Sequence, residues 1–146
     1  MIQDDLKVEW ESGFSVDVAE IDVHQKKMFD LFNELIDLKQ KKAESKAIAN
    51  IITEINDYSK LYFTEEERML RQREYPDRDI HARYHRRFTR NALSLRREIT
   101  EDVNNLSLEA IISLRDWLIE HILTNDAMYV PFLRIHRYVE DVSRKQ

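Results

Sequence analysis

The sequence predicts an all-α protein, an up-down-up-down four-helix bundle preceded by an extended amino-terminal arm and followed by a short carboxy-terminal helical tail. Two observations predict it. One glycine, two prolines and 35% charged residues among 146 leave little material for the turns of a β fold and suit long helices. Apolar residues also recur at spacings of three and four through most of the chain, the period of a helix with one buried stripe. The length fits one domain, 1–146, large enough to bury its own core.

The arm carries Trp10 and Phe14. The first helix is predicted from about Asp22 to Lys41, with Met28, Leu31, Phe32, Leu35 and Leu38 on one face. The second runs from about Glu44 to Arg71 through Ile48, Ile51, Ile52, Ile55, Tyr58, Leu61 and Tyr62. Pro76 then fixes its own φ and pushes Tyr75 out of the helical region, so EYPDRD breaks the chain. A third helix, from about Asp77 to Glu98, holds Tyr84, Phe88 and Leu95. A fourth runs from Ser107, an N-cap, to about Tyr129, with Glu109 in the first turn and Leu106 placed to staple against Ile111. Pro131 is expected to end or kink it, which leaves LRIHRYVEDVSRKQ as the amphipathic tail.

Charge and composition narrow the function. A net charge of -5 disfavours nucleic acid or an anionic membrane as the main partner. The arginine-rich runs RRFTR and SLRREI read as the solvated face of an amphipathic helix. No apolar run approaches the ~20 residues of a membrane span, and the amino terminus lacks the features of a signal peptide, so a cytoplasmic location is expected. The absence of cysteine fits a reducing compartment and removes thiolate metal chemistry.

Three stretches place potential metal ligands on the predicted helices: Glu66 in YFTEEERML, His81 and His85 in HARYH, and His121 with Asp126 in HILTND. Residues four apart share a helix face, so Tyr62 and Glu66 look one way, as do His81 and His85. His121 and Asp126 are five apart, which at about 100° per residue separates them by roughly 140°. Taken singly, each is also compatible with a solvated face or an ordinary core position. In combination they point to a non-haem metal site built from imidazoles and carboxylates inside a bundle.

From the arm to Leu133 the chain resembles the hemerythrin family, in particular its bacterial single-domain members. VEWESGFSVDVAEID is similar to the family's arm and the start of its first helix, YSKLYFTEEERML to its second-helix motif, YPDRDIHARYHRRF to its third and WLIEHILTNDAMYVPFL to its fourth. The resemblance implies a bundle that binds iron, likewise dioxygen or a related small species such as peroxide or nitric oxide. His81, His85 and His121 would bind one iron, with Glu66 and Asp126 bridging to a second, Asp126 reaching in from the next turn, and a water-derived oxygen completing the bridge. Met28, Phe63, Trp117 and Leu118 fall where the family lines its small-ligand pocket, and each would serve equally as core.

The departures concern the second iron, which in the family takes a histidine from each of the first two helices. Tyr62 stands at the second-helix position. In the first helix the order of histidine and glutamine is transposed. Alignment on Asp22 and Phe29 puts Gln25 at the ligand position, and a small helix rotation would present His24 instead. Gln25 can act either as a weak amide-oxygen ligand or as a hydrogen-bond donor to a bound species. Tyr62 can be a phenolate ligand, which favours ferric iron and argues against simple oxygen carriage, or a core tyrosine bonded to a bridging carboxylate. The reading is therefore sensing or redox turnover at a di-iron site, with peroxide- or oxygen-dependent redox activity open. A single-metal bundle acting as an interaction or iron-storage module is the alternative. His136 lies beyond the motifs and is expected at the surface.

Overall fold

The structure, a computed structural model, describes residues 6–102 and 106–144, the last four residues of α3 by backbone alone. Its helices are α1 (Ala19–Gln40), α2 (Ser45–Gln72), α3 (Arg78–Glu101), α4 (Leu108–His121) and α5 (Ala127–Arg144), with a short 3₁₀ turn at Ser12–Phe14 in the arm and a π turn at Ile122–Asp126 joining α4 to α5. Each of α1 to α4 packs on two others, α1 on α2 and α4, α3 on α2 and α4, which closes a four-helix bundle.

The bundle forms because each helix carries one apolar stripe that water disfavours. Met28, Phe32 and Leu35 of α1, Ile52 and Ile55 of α2, Phe88 of α3 and Leu118 of α4 are all buried. Each such side chain contributes about 1.5–3 kcal/mol on leaving water. Ser107 caps α4, its hydroxyl accepting from the Ala110 N–H at 3.1 Å, and Leu106 and Ile111 flank that cap fully buried. α1 starts at Ala19 rather than near Asp22. The Asp22 carboxylate instead accepts from Ser15 Oγ at 2.6 Å and the Val16 N–H at 2.9 Å, tying down the arm.

The helical path does not end at Pro131, which lies inside α5. Proline removes one ladder hydrogen bond, but Tyr129 and Leu133 on either side are buried and hold the segment on the bundle. The expected short tail is therefore the last two-thirds of an 18-residue helix, Lys145 and Gln146 lying outside the described residues. No described helix is long and apolar enough to cross a membrane.

Candidate metal centre

Five buried side chains meet inside the bundle. Glu66 comes from α2, His81 and His85 from α3, His121 from the end of α4 and Asp126 from the π turn. One ligand atom from each lies within 4.8 Å of all the others. His81 Nε2 is 2.8 Å from Glu66 Oε1 and 2.9 Å from Asp126 Oδ1, while His85 Nε2 is 2.8 Å from Glu66 Oε1.

The π turn explains the five-residue spacing. Hydrogen bonding from residue i to i+5, as from the Ala127 N–H to the Ile122 carbonyl, adds one residue to the turn. Residues five apart then take the places of residues four apart, and single π turns of this kind are frequent at functional sites. His121 Nε2 and Asp126 Oδ1 are consequently 3.1 Å apart.

The donor set fits a cation. His85 Nε2, His121 Nε2 and Asp126 Oδ1 are buried without a hydrogen-bond partner, because they aim at a shared point instead of along one another's bonding directions. Three imidazoles and two carboxylates, with no thiolate, suit first-row metals such as iron. Without a cation, burial opposes charge on His81, but the carboxylates of Asp126 at 2.9 Å and Glu66 at 2.8 Å prevail and raise it to about 10. Burial likewise opposes charge on Glu66, yet the imidazoles of His81 and His85 against its carboxylate hold it well below the usual carboxylate range.

Outer contacts orient the inner ones. Glu67 lies 2.9 Å from His85 Nδ1, Asn125 lies 3.1 Å from His121 Nδ1, and the Tyr129 hydroxyl donates to Glu66 Oε2 at 3.0 Å. Sequence reasoning singled out none of these three. The four-residue spacing of His121 and Asn125 was a usable signal, whereas Glu67 was hidden in a run of glutamates and Tyr129 in the expected end of the helix. Phe63 stacks on His85 at 4.0 Å and Trp117 on His121 at 5.3 Å, whereas Met28 and Leu118 are fully buried in the core.

On the other side of Asp126, the fully buried Tyr62 donates to its Oδ2 at 3.4 Å. Burial first, then the charges of Glu66 and Asp126, raise the Tyr62 phenol well above its ordinary value. Gln25 is fully buried, its Oε1 accepting from Trp10 Nε1 at 2.8 Å. His24 turns from the cluster, with Nδ1 2.7 Å from the Tyr58 hydroxyl and Nε2 2.5 Å from Glu65, and its ring stacks on Tyr62 at 5.8 Å. His136 is half-buried, pairs with Glu140 at 3.7 Å within α5 and lies outside the cluster.

Fold and site together define a four-helix bundle with a buried histidine–carboxylate cation centre. The family model of the hemerythrin HHE cation binding domain matches residues 16–133. A bacteriohemerythrin of Pseudomonas aeruginosa is 32% identical over 127 residues, covering 86% of this chain and 80% of its own length. A myohemerythrin of Theromyzon tessulatum is 27% identical over 121 residues, covering 83% of this chain and 89% of its own. A crystal structure of a hemerythrin mutant superposes with a TM-score of 0.78 at 23% identity, covering 85% of this chain and 95% of that one. The chain belongs to the hemerythrin family.

Proposed function

We propose that this chain is a non-haem di-iron protein that binds dioxygen or a related small species such as peroxide or nitric oxide, and that it senses or turns over that species rather than carrying oxygen in bulk. The observation that carries the reading is the convergence of Glu66, His81, His85, His121 and Asp126, with three of their ligand atoms buried and unsatisfied. In this reading His81, His85 and His121 hold one iron, Glu66 and Asp126 are shared, and Tyr62 serves the second, with Gln25 beside it. Bound iron supplies a redox couple and a position for a small ligand.

The chain's own residues prepare that position. Glu67 and Asn125 fix the orientation of the His85 and His121 rings, and Tyr129 orients Glu66. Phe63 and Trp117 stack on two of the imidazoles and hold their ring planes. Tyr62 holds its proton against Asp126 until a cation competes for the oxygen. As a phenolate it favours the oxidised metal, which works against reversible carriage and is the reason for preferring sensing or redox turnover.

One arrangement favours a second reading, a single metal in an interaction or storage module. His24 is engaged by Tyr58 and Glu65, and the Gln25 oxygen by Trp10, which leaves the second position short of free donors. Iron content per chain measured beside the optical spectrum separates the two.

A further inference from the structure

The charge of the chain is unevenly placed. Residues 68–97 hold ten arginines and only three acids, although the whole chain carries -5. Along α3, Arg83, Arg86, Arg87 and Arg90 recur at three-and-four spacing, and all four are exposed. A merely solvated helix face usually interleaves both signs at i and i+4. Here no ion pair or hydrogen bond joins any of the four to another described residue. Arginine predominates on this ridge without direct pairing among the described residues, with Asp79 one turn before Arg83 and Glu120 across a cleft from Arg87 as the nearby acids.

Arg87 of that ridge lines a cleft that His121 of the cluster also lines. Arg87 and Tyr84 of α3 form one wall of a cleft of about 170 Å³, Trp117 and Glu120 of α4 form the other, and His121 also lines it. The imidazole that closes on Asp126 inside therefore also borders an open cleft, framed by Trp117 at 5.3 Å and Tyr84 at 6.0 Å.

We propose that the arginine ridge of α3 and the adjoining Tyr84–Trp117–His121 cleft form the docking face for a small acidic electron-carrier protein. The proposal rests on the iron reading above, because a centre that turns over an oxidising ligand needs an electron source. One electron leaves the reduced carrier, which becomes oxidised, and one ferric ion becomes ferrous, with no bond formed or broken. Complementary charge would steer the carrier onto the ridge, and the His121 edge offers the short path inward. An acidic protein fits better than nucleic acid, since the ridge spans two helical turns on a chain that is acidic elsewhere and would repel a long polyanion.

The test titrates a small acidic [2Fe–2S] ferredoxin into the metal-free and iron-loaded protein at low and high salt, and follows reduction of the ferric protein by stopped flow. The expected result is salt-sensitive binding with magnetic-resonance shifts confined to residues 83–90 and 117–125. Replacing Arg83, Arg87 and Arg90 together by glutamate should weaken binding and slow reduction by at least about tenfold, while dithionite reduces both proteins equally. Because metal-free protein is used for binding, arginine-dependent association supports the docking face even if iron loading fails, which would contradict only the iron reading. Unchanged binding in the triple variant, shifts on α1, or tighter arginine-dependent binding of duplex DNA or anionic vesicles would overturn the proposal.

Discussion

Trp10 in the arm donates its indole N–H to the side-chain oxygen of Gln25 at 2.8 Å and so fixes which end of that amide faces inward. The Nε2 of Gln25 is left buried without a hydrogen-bond partner. An amide presenting N–H to the centre is a hydrogen-bond donor and a poor metal ligand. Trp10→Phe should leave a buried carbonyl oxygen unpaired and lower stability by about 1–3 kcal/mol, read by urea denaturation. A loss no greater than that of Phe14→Leu would show that the hydrogen bond contributes nothing specific.

Glu66 and Glu67 are neighbours with different duties. Glu66 meets His81 and His85 at their inward nitrogens, while Glu67 touches only the outward nitrogen of His85. Glu66→Gln should remove most bound iron, whereas Glu67→Gln should retain the metal with affinity reduced about 10–100-fold, as for other groups that orient a ligand. The reverse order in metal retention would mean that the inward face of α2 is misassigned.

In the metal-free protein the cluster should make stability depend on pH with a definite sign. His81 is raised from 6.5 to about 10, so its stabilising contribution is complete below 6.5 and is lost as pH rises toward 10. Glu66 is lowered from 4.5, so its contribution is present above that value and is lost on acidification. The melting temperature should fall from pH 6.5 toward 10, while iron occupancy rises over the same range because protons compete with the metal. A melting temperature flat across that interval would contradict the ion-paired cluster.

Two helix ends are closed without glycine. Lys42 and Glu74 adopt left-handed φ of 55° and 57°, and the following N–H groups of Ala43 and Tyr75 return to the carbonyls of Leu38 and Leu70. This is the Schellman closure that glycine usually serves. Lys42→Gly or Glu74→Gly should therefore stabilise the protein by up to about 1 kcal/mol, measured by thermal melting.

What the sequence made legible follows from these contacts. The four bundle helices and the cap at Ser107 were readable because each depends on residues within a few positions of one another. Glu66, His81, His85, His121 and Asp126 could be gathered from their motifs, but the five-residue step between His121 and Asp126 had no local explanation until the π turn supplied one. The path through Pro131 was unreadable, since the buried partners of Tyr129 and Leu133 outweigh a local rule. His24 and Gln25 differ by only one position on α1. Their separate orientations are set by Tyr58, Glu65 and Trp10, residues 15 to 41 positions away in sequence.

Tyr62 decides whether a second iron site would stand beside the histidine-rich one. The most direct measurement is the visible spectrum of ferric protein together with its iron content, in the wild type and in Tyr62→Phe. The expected result is about two irons per chain, a stoichiometry set by carboxylates that bridge facing helices, and a broad phenolate-to-iron band that vanishes in Tyr62→Phe. One iron per chain and a spectrum unchanged by the substitution would contradict it, leaving Tyr62 as a hydrogen-bond partner of Asp126 and the centre as a single-metal site.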